Sequence, residues 1–168
     1  VILRFESQPW TQPWLYLYAL HAPFAHVWWD SAARRGIPST QSTVVSVTGY
    51  ATGAAADGLE GLSSAALQRL FCRQLTEALG FDAQACCTGI RHKSWKDHPY
   101  ALGGYTYVQV GGGASRRALQ QSWWKSHMAF AGEASSVSEP TTASGALQEG
   151  LRAAQQVSLH LLQHQTKL

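Results

Sequence analysis

The chain has 168 residues, 45% hydrophobic and 14% charged, which is apolar enough for a packed core and too sparsely charged for a disordered polymer. Its formal net charge of +3, from 13 basic and 10 acidic side chains spread along the sequence, excludes the clustered basic footprint of a nucleic-acid binder. No run approaches the roughly eighteen apolar residues of a membrane-spanning helix, so no transmembrane segment is expected.

Residues 1–5 alternate apolar and mixed side chains and read as a strand. Pro9 and Pro13 follow, each before a Trp, and exclude helix there. Residues 15–24 are dense in aromatics, residues 26–30 read as a second strand, and Gly36 and Pro38 make residues 31–43 a turn or loop. The β-branched stretch 43–49, with Val44, Val45 and Val47, reads as a buried strand. Residues 49–61 are rich in Gly and Ala and specify no strand. Residues 64–79 give the clearest helix, with Leu67, Leu70, Phe71, Leu75 and Leu79 at helical spacing, Ser63 or Ser64 to cap it and Gly80 to end it. Residues 103–110 alternate around Tyr105, Tyr107 and Val110 and read as strand. Gly111, Gly112 and Gly113 form a turn that lacks the spacing of a phosphate loop. A short helix over 118–124, a short strand over 128–131 and a long helix over 145–164 complete an α+β order with no internal repeat.

Cysteines number three, Cys72, Cys86 and Cys87. A vicinal pair closes a disulfide only with strain and no CxxC spacing occurs, so neither a disulfide framework nor a zinc site is expected, and a reducing compartment is favoured. His160 and His164 lie four apart on the last helix without an acidic partner nearby and read as surface residues. The Trp28–Trp29 and Trp123–Trp124 pairs read as core or interface anchors, and Arg116–Arg117 as a solvated step. His21, His26, His92, His98 and His127 have no Ser or Cys that the sequence pairs with them. The last residues, Thr166, Lys167 and Leu168, approximate a peroxisomal address, so an intracellular, organellar location is one expectation and a mitochondrial one stays open. Val1 in place of Met, with no signal-peptide pattern, reads as an internal start, from a processed precursor, a split gene or a partial chain.

Two segments carry more than core patterning. One runs from Trp95 through Pro99, Tyr100, Gly103, Gly104 and Tyr105 to Val108. The other runs from Phe130 through Gly132 and Glu133 to Ser135, and then from Pro140 through Thr142 and Ala143 to Ala146. In the second, small residues let a bulky ligand approach the backbone, and a helix N-terminus offers unpaired N–H groups and positive partial charge to electron-rich oxygens. Glu133 suits a sugar-like hydroxyl, and Gly145 and Gly150 suit close packing of the helix. The same features make a tight turn and an ordinary capped helix, and on the residues alone both readings stand.

Phe130-Ala131-Gly132-Glu133-Ala134-Ser135, together with Thr141-Thr142-Ala143-Ser144-Gly145-Ala146, resembles the C-terminal FAD-binding signature of flavin amine oxidases. The stretch from Trp95 to Val108 resembles the same family's Trp/Pro/Gly/Tyr block, and the Gly-Tyr-x-Tyr-Val ending is closer to the polyamine oxidase and histone-demethylase-like branch. Residues 1–10 and 44–80 also resemble the family, so the likeness runs to about Val157. The resemblance implies an α+β fold: the C-terminal part of the two-domain FAD-linked amine oxidase, with a mixed substrate-domain sheet plus the final FAD-domain strand and helix, and without the N-terminal Rossmann unit. It implies substrate-domain strands and helix over residues 1–90 and an FAD-contacting segment with the terminal helix over 91–168.

The resemblance also implies roles. Trp95 packs beside the flavin and Tyr105 lines the substrate side, the two serving as the catalytic candidates. Tyr100 and Gly104 lie at the flavin edge, Gly132 and Glu133 approach the pyrophosphate and ribityl chain, and Thr142 and Ala143 meet the pyrimidine end. No metal is implied. Ala143-Ser144 departs from the family's Val-His, and Gly104 from a common Ser. The G-x-G-x-x-G unit is absent from these residues, and the family's lysine belongs just upstream of Val1. The expectation is therefore the C-terminal chain of a flavin-dependent amine oxidase, sharing FAD with a separate N-terminal chain, oxidising an amine and releasing peroxide, and inactive alone. The alternative is a non-catalytic amine-oxidase-like structural subunit of a larger assembly.

Overall fold

The computed structural model describes residues 1–12, 14–30, 44–121, 123–124 and 127–165, and side chains as far as Leu162. The loop expected over 31–43, Pro13, the side chain of His164 and the Thr166-Lys167-Leu168 end lie outside the described residues. Two compact units are present, Val1–Ser94 and Trp95–Leu168.

The first unit is a five-stranded sheet covered by a helix. Its strands are β1 (Ile2–Phe5), β2 (Tyr16–Tyr18), β3 (Val27–Asp30), β4 (Val45–Tyr50) and β5 (Cys87–Arg91), ordered β2-β3-β4-β1-β5. Among the described residues every strand pairing is antiparallel, where a mixed sheet was expected. Strand alternation decides the faces. Leu3 and Phe5 of β1, Val45 and Val47 of β4 and Trp28 of β3 are fully buried on one side, while Ile2, Tyr16 and Tyr18 are exposed. The short helix α1 (Gly53–Asp57) occupies the Gly/Ala stretch that specified no strand.

Helix α2 (Ser64–Leu79) covers the buried face and begins and ends where the sequence placed it. The Ser63 hydroxyl accepts from the Ala66 N–H at 3.2 Å, and Gly80 closes the helix at φ 74° with its N–H on the Thr76 carbonyl. Leu67, Phe71 and Leu75 form the buried stripe, and Phe71 meets Trp28 edge to face at 5.6 Å. Gln74 joins helix to loop: its amide oxygen accepts from the Ala25 N–H at 3.0 Å and its amide nitrogen donates to the Ala25 carbonyl. Gly49 is dictated by packing, since a Cβ there would meet the Phe71 ring at 2.9 Å. Helix α3 (Ala83–Cys86) leads directly into β5; neither was read from the sequence.

The second unit contains α4 (Ser115–Gln120), a single 3-10 turn (Glu133–Ser135) and the long helix α5 (Ala143–Gln165). Among the described residues its buried side chains are Arg116, Ser135, Ser136, Glu149 and one apolar residue, Ala153. Three expectations change here. Residues 103–110 pair with no strand: the Thr106 N–H bonds to the Glu133 carboxylate and the Thr106 carbonyl to Arg116, so side chains take the groups that a ladder would use. Residues 128–131 supply one isolated bridge, Trp123 to Met128, in place of a final strand. The short helix lies at 115–120, before the Trp pair. Arg116 is buried, not solvated, and Trp123 and Trp124 are both exposed.

Candidate functional site

Residues 95–103 form a compact turn. The Trp95 carbonyl accepts from the His98 N–H at 3.3 Å and the Gly103 N–H at 3.0 Å. The His98 ring lies 5.8 Å from that of Trp95 and 6.1 Å from that of Tyr100. Trp95 and Tyr105 are each about half exposed, and Tyr100 is 93% exposed. The turn thus joins Trp95 and Tyr100 through His98 and presents them outward. Gly104 is also exposed.

Tyr105 precedes the residue that anchors the second cluster. Glu133 Oε1 accepts from the Thr106 N–H at 2.9 Å. Its Oε2 accepts from the Thr106 hydroxyl at 2.8 Å and the Thr141 N–H at 2.9 Å. Arg116 Nη1 stands 3.8 Å from Oε2 and donates to the carbonyls of Glu133 and Ala134, both at 3.0 Å, while Nη2 reaches the Thr106 carbonyl at 3.3 Å. One planar guanidinium therefore ties three backbone carbonyls and a carboxylate. Burial pushes the Glu133 carboxyl up, but the Thr106 and Thr141 hydrogen bonds and the Arg116 charge outweigh it and hold the group below its ordinary range.

Gly132 and Thr141 give this cluster its backbone shape. Gly132 has φ 107°, a conformation that favours glycine, and a Cβ there would meet nothing within 4 Å, so the surface beside it is open. Thr141 also has positive φ, at 65°. The Thr142 hydroxyl donates to the Glu139 carbonyl at 2.8 Å and accepts from the Gly145 N–H at 2.9 Å, capping α5. A Cβ on Gly145 would fall 2.0 Å from the Glu139 carbonyl oxygen, so that position admits no side chain; Gly150 meets nothing within 4 Å and carries no such constraint.

A second network supports α5. Glu149 pairs with Arg152 at 2.7 Å and accepts from Gln120 at 2.8 Å, while Arg152 also reaches the carbonyls of Gln120 and Phe130. Burial raises the Glu149 carboxyl, and the Arg152, Gln120 and Ser135 hydrogen bonds overcome this and lower it.

The structure thus gathers Gly132, Glu133, Thr142 and Ala143 at one end of α5, and joins Thr106, the neighbour of Tyr105, to them. The α5 N-terminus presents N–H groups and positive partial charge. Nearby, Glu139 Oε2 is buried with no hydrogen-bond partner among the described residues, an acceptor that calls for a donor. An open Cβ-free surface, a helix N-terminus and an unmet acceptor together suit a ligand with both phosphate-like oxygens and hydrogen-bond donors, and FAD has both. The roles of the residues that organise the cluster escaped the sequence reading: Arg116 read as a solvated step, and Thr106 and Thr141 lay inside the two family-like segments with no role of their own. They lie 8 to 27 residues away from Glu133, with no periodicity to mark them. Among the described residues no group of His, Cys, Asp and Glu is arranged to hold a metal ion, and no helix is long and apolar enough to cross a membrane.

Comparisons with known proteins address the same regions. The profile of the flavin containing amine oxidoreductase family matches residues 1–158. A solved putrescine oxidase, a double mutant from a structure-based redesign of cofactor binding, superposes with a TM-score of 0.73 at 16% sequence identity, covering 94% of this chain and 34% of that one. At that identity the likeness is one of fold, and the chain spans about a third of the length of the structure it matches. No curated protein matches significantly. A family profile spanning nearly the whole chain, on a fold shared with an amine oxidase, makes this chain a member of the flavin-containing amine oxidoreductase family.

Proposed function

We propose that this chain supplies the C-terminal, cofactor- and substrate-facing part of an FAD-dependent amine oxidase, acting with a separate N-terminal chain that carries the Rossmann unit and the lysine. The observation that supports this reading most is the composition of the second unit's interior. It buries Arg116, Glu149, Ser135 and Ser136 with one apolar side chain, Ala153, among the described residues, while leaving Tyr100, Tyr107, Trp124, Leu147 and Leu151 exposed. A unit that exposes so many large apolar side chains and buries so few has the composition of one that meets another surface.

In this reading Gly132 lets the pyrophosphate approach the backbone, Glu133 holds the loops at the ribityl side, and the N–H groups near Thr142 and Ala143 face the pyrimidine end. Tyr100 and Gly104 border the flavin edge. Trp95 and Tyr105 wall the substrate side, guide the amine and exclude water. Loss of water behind that wall disfavours ammonium and favours the neutral amine that oxidation requires. When bound, FAD supplies the hydride acceptor for the C–H next to nitrogen and passes the electrons to oxygen, giving peroxide. A short alkyl diamine is the first substrate class to test, because the solved neighbour is a putrescine oxidase.

One observation favours the non-catalytic alternative: both Glu133 oxygens are already engaged by donors of the chain itself. The protein purified from its source together with its associated polypeptides separates the two readings. Two visible flavin absorbance bands and peroxide release on adding amines support the oxidase. A complex free of flavin supports the structural subunit.

A further inference from the structure

Cys72 lies in the middle of α2 and is fully buried, while Cys87 opens β5, is half-buried and packs against the same apolar cluster. A register slip brings the second cysteine to that cluster. Arg4 pairs with Gly89 and Phe5 with Cys87, so Thr88 is an extra residue on β5. In a regular strand, Ile90 opposite the buried Leu3 would put Thr88 on the helix-facing side and Cys87 on the other. The bulge shifts the alternation by one and stands Cys87 opposite the fully buried Phe5. The Thr88 hydroxyl donates to the Arg4 carbonyl at 3.2 Å and ties the bulge to β1. The Cys72 and Cys87 side chains lie within electrostatic range of each other, and the Cys87 thiol donates to the Gly89 carbonyl at 3.3 Å. Cys86, one residue away, is exposed and outside this pair.

We propose that Cys72 and Cys87 form an oxidisable dithiol, placed by the Thr88 bulge, which hydrogen peroxide converts to a disulfide joining α2 to β5. Solvent reaches Cys87 first. Its ionised sulfur attacks one peroxide oxygen, the O–O bond breaks, and the departing hydroxide takes up the proton lost from the thiol, leaving Cys87 as a sulfenic acid and one water. The Cys72 sulfur then attacks the Cys87 sulfur. The S–S bond forms, the S–O bond breaks, and the hydroxyl leaves with the Cys72 proton as a second water. Two thiols are oxidised, one peroxide is reduced, and no other reactant enters. Burial, then Cys87 and Asp82, push the Cys72 thiol up to about 12, which disfavours Cys72 as the first attacker. This inference is independent of the oxidase reading, because its test supplies peroxide from outside.

The full chain is treated with hydrogen peroxide, alkylated under denaturing conditions, digested with trypsin and analysed by mass spectrometry. Cys72 falls in the peptide 70–73, and Cys86 and Cys87 in the peptide 74–91. The free thiols are expected to drop from three to one, with the two peptides disulfide-linked, fragmentation placing the link at Cys87, and dithiothreitol reversing it. Cys86→Ser keeps the linked peptide and Cys87→Ser abolishes it. A link at Cys86, persistence of the link in a folded Cys87→Ser chain, or Cys72 recovered as a free thiol beside a sulfinic Cys87 each overturns the proposal. Fragmentation of the unmutated chain decides the matter even where Cys87→Ser does not fold.

Discussion

Glu133 concentrates the candidate site's electrostatics in one carboxylate, and its depressed protonation sets a sign. A carboxyl lowered on folding adds stability that is present above its ordinary value of 4.5 and is lost as pH falls through the lower, folded value. The unfolding free energy of the chain in urea is expected to fall as pH drops from about 5 to about 3, by no more than about 1 kcal/mol from this group, since its side chain is partly solvated. Glu133→Gln should flatten part of that decline, as followed by circular dichroism. At Tyr105 the expectation is functional. In the flavin-bearing protein, Tyr105→Ala lowers amine turnover more than it lowers FAD content, and equal loss of both counts against a substrate-side role. Single residues were only partly legible in the sequence. The Gly-Glu pair and the Thr at the helix start stood out through the family pattern, whereas Arg116 looked like a surface cation because nothing local marks a partner 17 residues on.

At the scale of elements, legibility followed locality. Helix α2 was read to the residue because cap, stripe and left-handed stop lie within one contiguous window. The Tyr/Val alternation at 103–110 was misread because a strand also needs a neighbour, which the sequence pattern does not contain. Strand β5 was missed because its short, Gly-interrupted alternation is broken by the Thr88 bulge. The start of α5 offers the sharpest structural prediction. Gly145→Ala drives a methyl group into the Glu139 carbonyl, backbone against backbone, and should destabilise the chain by about 2–3 kcal/mol in urea unfolding. Gly150→Ala, on the same helix with open space around it, should be neutral or slightly stabilising and serves as the control.

At the scale of the whole molecule, the two units are built on different principles. The first buries Phe5, Trp10, Trp28 and Phe71 in a continuous apolar core, whereas the second is organised by Arg116–Glu133 and Arg152–Glu149. Isothermal titration is expected to find no useful FAD affinity for the 168-residue chain alone, and tight binding by the isolated chain would count against the proposed partner chain. The strand order carries a consequence in time. Of these five strands β1 comes first in the chain, yet it lies inside the sheet between β4 and β5, with Leu3 paired to Val47 on one side and Ile90 on the other. On the ribosome its second edge therefore waits for some eighty further residues, and contacts of such long sequence separation fold slowly. That edge is open to other chains during synthesis, and refolding from urea is expected to be slow and to lose yield to aggregation as the protein concentration is raised.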